Sequence, residues 1–186
     1  MHFSVTQPLE VSREEAEQAM VDPDFYASLG AMDNIGTPQV LAIKKENGTV
    51  RLSVRYRFTG HLARPARAIL DPDKMTWVIE SVMHFDQQRV EFTMLPDHYA
   101  DRLECSGEYR FQEDGTAAVQ VIDGDLRAHV PVVAGAVERA IIMGLRQHMT
   151  EQAKLLSEWA KAAAHRTSSS GARRTTKPTS RRARDH

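Results

Sequence analysis

Apolar and polar residues alternate with a period of two along most of the first 128 positions, then switch to a period near 3.6. His2 to Val11 alternates and predicts a strand. Ser12 with Glu15 three positions on predicts a capping box and a short helix ending near Met20. Asp22-Pro23 predicts a second short helix, capped by Asp22, with Pro23 in its first turn and Phe25, Tyr26 and Leu29 buried. From Thr37 the period is two again, with strands over Gln39–Lys45 and Thr49–Thr59 joined by Asn47-Gly48, both of which tolerate positive φ. Val50, Leu52, Val54, Tyr56 and Phe58 fall on one face of the second strand, and Arg51, Arg55 and Arg57 on the other. Four more strands are expected at Met75–Phe85, Arg89–Leu95, Arg102–Phe111 and Thr116–Ala128, the last two joined by a turn at Asp114-Gly115. Between them Gly60–Lys74 breaks the alternation with two prolines and reads as a long loop, a candidate lid.

Val130 to Ala164 carries the longest helical pattern, about 50 Å at 1.5 Å per residue. At 100° per residue Val133, Val137, Ala140, Ile141, Gly144, Leu145, His148, Leu155 and Trp159 share one face. The centre of that stripe holds two small residues and a histidine where tight packing would favour Leu or Ile. The expectation is a sheet wrapped around this helix, with space left beneath Ala140 and Gly144.

Charge divides the chain. His165–His186 holds six Arg and one Lys against one Asp, a net +6, which leaves residues 1–164 at −7. The first 164 residues predict one domain and the rest a disordered basic tail without a large apolar side chain. The tail suits a weak anionic partner, nucleic acid or anionic lipid, but lacks aromatics for base stacking; a solubilising extension explains it equally well. One cysteine, Cys105, leaves no internal disulfide and no cysteine-based zinc site. No apolar run approaches the ~18 residues of a transmembrane segment, and MHFSVT does not read as a signal peptide, so the cytoplasm is the expected compartment.

Standard catalytic signatures are absent: no G-x-S-x-G, no H-E-x-x-H, no P-loop and no G-x-G-x-x-G. No catalytic residue, metal site or cofactor is assigned. His148 is the polar residue that stands out, as a ligand hydrogen-bond partner or proton shuttle with a pKa near neutrality. The commoner fate of such a histidine is a buried ring satisfied by a backbone carbonyl. Tyr56, Trp77, Phe92 and Tyr109 lie on alternating strand positions. With Val137, Ile141, Gly144, Leu145 and His148 of the helix they make the candidate ligand-binding set. The cluster Asp97, His98 and Asp101 has no ligand-enforcing spacing and reads as a solvated turn. Cys105 reads as inert core. Arg51, Arg55 and Arg57, with Glu80, Glu104 and Glu108, read as ion pairs on a wet sheet face.

The order of these elements resembles the START-like, or helix-grip, superfamily. The resemblance is carried by MHFSVT at 1–6, DPDFY at 22–26, RYRFTG at 55–60, LDPDKMTW at 70–77 and VPVVAGAVERAI at 130–141, covers about residues 1–160, and is closer still to an uncharacterised bacterial branch of that superfamily. It implies an α+β fold: a strand, two short helices, a six-strand curved antiparallel sheet and a long C-terminal helix, with a ligand cavity between sheet and helix. It also implies a binder, transporter, cyclase or co-chaperone for a hydrophobic small molecule, without choosing among them. Three functions follow as expectations. The first is non-catalytic carriage of a lipid- or polyketide-like molecule. The second is a cyclase or dehydratase using His148 as general acid–base, and the third a protein-interaction module with a filled core.

Overall fold

Turn chemistry and alternation produce the strands as expected. The computed structural model describes residues 1–61 and 70–172. In chain order the elements are β1 (His2–Leu9), α1 (Arg13–Met20), α2 (Pro23–Ser28), β2 (Gln39–Glu46), β3 (Thr49–Arg57), β4 (Thr76–His84), β5 (Arg89–Pro96), β6 (Leu103–Asp114), β7 (Ala117–Ala128) and α3 (Ala134–Ala172). Asn47 and Gly48 both adopt positive φ, 45° and 81°, and join β2 to β3 as a two-residue turn of the type whose twist matches the strands. The other predicted turn is displaced by one residue. Asp114 still pairs with Ala117, and the turn is Gly115-Thr116 with positive φ at Gly115.

The strands form one antiparallel sheet in the order β1-β7-β6-β5-β4-β3-β2. The first strand is therefore not separate from a six-strand sheet; it pairs with β7 and makes the seventh strand. The short helices α1 and α2 carry the chain from one edge of the sheet to the other. Both begin as predicted. Ser12 and Glu15 form the reciprocal capping box, and the Asp22 carboxylate accepts from the Asp24 N–H at 2.9 Å.

Curvature has a local cause. Gly107 and Gly124 face each other across β6 and β7. A Cβ on Gly107 would stand 2.2 Å from the Asp123 carbonyl oxygen and 2.9 Å from the Phe92 ring; one on Gly124 would stand 2.6 Å from the Phe3 ring. The strands approach closely here because neither residue has a side chain, and two phenyl rings cover the bare backbone.

The long helix starts at Ala134 rather than Val130 and runs to Ala172, past the Ala164 boundary expected from composition. Ala162, Ala163 and Ala164 offer no reason to stop, and Arg166 lies 5.6 Å from the centre of the Trp159 ring. Residues 173–186 of the expected tail and residues 62–69 of the expected lid lie outside the described residues.

α3 packs most heavily against β1, β7, α1 and α2. Polar tethers hold it there. The Gln7 amide pairs with the Thr150 hydroxyl at 3.2 Å, Glu10 N–H donates to the Ser157 hydroxyl at 3.1 Å, and Lys161 pairs with Glu10. Near the helix start the Glu138 carboxylate accepts from the Ala128 N–H at 3.0 Å. This off-centre seat rotates the buried stripe by about one residue from the predicted one. Ile142, Ala153, Leu156 and Ala160 are buried, whereas Ala140 and Gly144 are exposed. The expectation that those two small residues cover an interior gap is corrected: the pressed face looks toward β1 and β7, and theirs does not.

The outer sheet face is ionic, but the partners differ from those expected. Arg55 pairs with Asp97 at 2.9 Å, Arg57 with Asp73 at 3.9 Å, Glu108 with Arg110 at 3.0 Å, and Glu104 with His129 at 3.1 Å. β3 and β6 are separated by two strands, so the β3 arginines do not meet Glu104 or Glu108.

Candidate functional site

The inward face of the sheet is a run of apolar and aromatic side chains, because period-two alternation places every second residue of each strand there. On β3 these are Val50, Leu52, Val54 and Tyr56; on β4 they are Trp77, Ile79, Ser81 and Met83, paired in register with β3. Burial along β4 is graded. Met83 and Ser81 are buried, while Ile79 and Trp77 are only half-buried although they point the same way. The interior is closed at the Met83 end and opens toward Trp77.

Aromatic contacts organise the open end. Tyr56 and Trp77, directly opposite on β3 and β4, stack with centroids 5.9 Å apart and planes 10° from parallel. The His148 ring meets Tyr56 edge-on at 6.0 Å and 87°. Deeper in, Tyr109 lies between Phe92 at 6.4 Å and Phe111 at 5.6 Å. Burial raises the Tyr26, Tyr56 and Tyr109 hydroxyls well above the usual phenol range. For Tyr26 and Tyr109 the neighbouring phenols add to the shift.

Two polar atoms in this interior lack partners. The Tyr109 hydroxyl and Nδ1 of His148 are cut off from solvent and make no hydrogen bond. His148 as a whole is half-buried, while its Nδ1 is shut off from solvent. Burial depresses its pKa from 6.5 to about 4, so the ring is neutral at neutral pH. By contrast the Tyr26 hydroxyl donates to the Met20 carbonyl at 2.8 Å. Nε of Arg13 is also closed off, but this guanidinium lies 3.8 Å from Glu17 and 3.5 Å from Glu113.

Of the sequence-predicted set, Tyr56, Phe92 and Tyr109 are buried, and Trp77, Val137, Ile141, Leu145 and His148 are half-buried. The structure brings Tyr56, Trp77 and His148 into one contact group and Phe92 with Tyr109 into another. Gly144 is exposed, and a Cβ built on it meets nothing within 4 Å, so the helix flank one turn before His148 is open. The unpartnered state of Tyr109 was not legible in the sequence, where it is one alternating aromatic among several. Cys105 is buried with its thiol pushed up to about 11 by burial, which suits a core residue and not a nucleophile. Among the described residues no three His, Cys, Asp or Glu side chains come together as a metal site.

Two concavities lie away from this interior. One, about 10 Å³, sits at the closed end among Met20, Met83, Phe85, Val90 and Phe111. The other, about 230 Å³, is on the outer face between Lys44, Arg51, Ser53 and Glu80. Neither is the enclosed cavity beneath α3 that the sequence suggested.

A curved antiparallel sheet gripping a long C-terminal helix, with two short helices spanning its edges, is a START-like, helix-grip fold. The chain belongs to the family described as "Protein of unknown function (DUF2505)", whose model matches residues 4–160. No curated protein matches the sequence. Among solved structures it is similar to TTHA0849 from Thermus thermophilus, with a TM-score of 0.63, 15% identity, and coverage of 88% of this chain and 99% of that one. It is also similar to the Zhui aromatase/cyclase from Streptomyces sp. R1128, with a TM-score of 0.61, 13% identity, and coverage of 87% and 93%. A START superfamily protein from Mycobacterium smegmatis aligns with a TM-score of 0.51, 14% identity, and coverage of 87% and 98%. At these identities the likeness is one of fold. Among the described residues no helix is long and apolar enough to cross a membrane.

Proposed function

We propose that the chain binds and carries a small hydrophobic molecule, taken up between the inward face of β3–β4 and the Gly144–His148 flank of α3. The observation that carries this reading is the burial gradient. Inward-facing Trp77 and Ile79 are only half-buried where the same strand's Ser81 and Met83 are buried, and Val137, Ile141 and Leu145 of α3 are half-buried as well. A folded chain gains by covering such surface, at roughly 25 cal/mol per Å². A small apolar ligand would cover what the sheet and helix leave open. The solved aromatase/cyclase supports the fold as a host for such molecules, and Tyr56, Trp77, Phe92, Tyr109 and His148 are the contacts assigned to this chain's ligand.

A cyclase-type reaction through His148 is the second reading, favoured by the unpartnered Tyr109 hydroxyl as a second polar group in the same interior. Proton transfer at neutral pH needs a group poised near neutrality. The His148 imidazole, held to about 4, is a weak base, and the Tyr109 phenol is a weaker acid than usual. Binding without turnover therefore fits these groups better.

The test is uptake of a neutral hydrophobic fluorophore such as phenylnaphthylamine by the purified chain, with solvent extraction and mass spectrometry of the protein as purified. Saturable, competable uptake is the expected result. A chain that takes up no probe and yields no apolar molecule is not a carrier.

A further inference from the structure

We infer that the outer face of β2–β4 holds a second binding site, for a phosphate group whose bearer also carries an ammonium. The site is separate from the interior and independent of what the interior binds. Strand register places Lys44 of β2 directly opposite Arg51 of β3, and Ser53 of β3 between Ala42 of β2 and Glu80 of β4. The short side chains of Ala42 and Ser53 leave a concavity of about 230 Å³, with Lys44, Arg51 and Glu80 in its lining.

Two like charges directly opposite on a sheet repel and destabilise it. Elsewhere on this face each arginine has a carboxylate: Arg55 pairs with Asp97 at 2.9 Å, Arg57 with Asp73 at 3.9 Å, and Arg89 with Glu91 at 2.7 Å. Among the described residues Lys44, Arg51 and Glu80 have no ion-pair partner. The segments outside that set hold one acidic side chain, Asp185. A lysine on an edge strand discourages pairing with another chain, which accounts for Lys44 but not for Arg51, one strand in. Val82, on the other side of Arg51, is apolar, and Glu46 lies toward the hairpin, outside the concavity.

A phosphate answers both cations at once. The Arg51 guanidinium presents parallel N–H groups to two phosphate oxygens, the Lys44 ammonium suits a third, and the Ser53 hydroxyl is a further donor. Glu80 makes the site selective. Its carboxylate repels a bare anion and accepts from an ammonium held a short chain away from the phosphate. Two cations beside one carboxylate therefore match a ligand with the opposite arrangement. The same chemistry occurs in small soluble aminoalkyl phosphates and in aminoalkyl lipid head groups.

Amide NMR titration of the full chain at neutral pH and low salt tests this, with phosphoethanolamine, inorganic phosphate and ethanolamine as probes. Phosphoethanolamine should shift the amides of Ala42, Ser53 and Val82 saturably and bind more tightly than either other probe. Arg51→Gln and Lys44→Gln should each weaken it by about threefold or more, as loss of a charge-assisted contact on an exposed face predicts. Glu80→Gln should weaken phosphoethanolamine but leave inorganic phosphate as tight or tighter, a crossed response that a merely basic surface does not give. All three positions are exposed, so the variants keep the fold, which thermal melting checks. Phosphatidylcholine vesicles with and without phosphatidylethanolamine separate the two sources. Retention on the second kind, lost in Arg51→Gln, marks a lipid head group; binding of the free compound alone marks a soluble one. Shifts confined to other parts of the chain overturn the inference. So do phosphoethanolamine binding no tighter than inorganic phosphate, and affinities untouched by Arg51→Gln and Glu80→Gln. None of these outcomes bears on uptake of an apolar probe by the interior.

Discussion

The His148 imidazole stands edge-on to the Tyr56 ring, 6.0 Å between centroids and 87° between planes, joining α3 to β3 across the open end of the interior. The contact leaves Nδ1 of the histidine shut away from water and unpaired. It also fixes the ring where burial, not a charged neighbour, controls its protonation. This placement, and the backbone geometry around it, have measurable consequences.

Acid should weaken the fold through His148. The folded pKa is depressed to about 4 against 6.5 for a free imidazole. Between those values the unfolded chain binds more protons than the folded one, so stability falls as pH drops through the window. At about 1.4 kcal/mol per unit, the contribution lost on acidification is up to about 3 kcal/mol. His148→Phe should flatten urea-denaturation stability between pH 6.5 and pH 4 relative to wild type. Parallel profiles for the two proteins would show that the histidine is not buried as described.

Tyr109→Phe should stabilise the unliganded chain by about 1 kcal/mol, because it deletes a buried hydroxyl that has no partner. Thermal and urea melts read this directly. A loss of stability instead would mean that the hydroxyl is satisfied within the folded chain.

Gly144 sits mid-helix with open space where its Cβ would be. Gly144→Ala should therefore raise stability by up to about 1 kcal/mol through helix propensity alone. Gly144→Phe should fold as well as wild type but reduce probe uptake, since its ring would stand at the proposed entrance. Unchanged uptake by a folded Gly144→Phe variant places the entrance elsewhere.

Gly107→Ala should be among the most damaging small substitutions in the chain. Its methyl group would stand 2.2 Å from a backbone oxygen and 2.7 Å from the Gly124 Cα, neither of which is the end of a flexible side chain. A loss of about 2–4 kcal/mol in urea denaturation is expected from forced backbone separation at the bend. Gly48→Ala, in open space at φ 81°, should cost only about 1 kcal/mol of local strain.

Much of the fold was legible residue by residue. The two-residue period placed Val50, Leu52, Val54 and Tyr56 inward, Asn47-Gly48 set the first hairpin, and Ser12 with Glu15 marked the start of α1. These are local matters: side-chain direction in a strand, positive φ in a turn, and a free N–H at a helix start depend on near neighbours in sequence. The second hairpin was misplaced by one residue because Gly115 takes the first turn position and Asp114 stays in the ladder.

The face that α3 buries was decided by tertiary structure alone. Periodicity gives a stripe about 100° wide or more but not the direction from which it is pressed. Gln7, Glu10 and the short helices pull α3 toward β1 and β7, so the deepest contacts shift to Ile142, Leu156 and Ala160. Gly144 is left in the open and His148 at the rim. The chain's amino acids thus determined which groups were available, an apolar wall and a few polar tips. The partnering of those tips depended on strands far apart in sequence, and only their packing left the Tyr109 hydroxyl and Nδ1 of His148 without one.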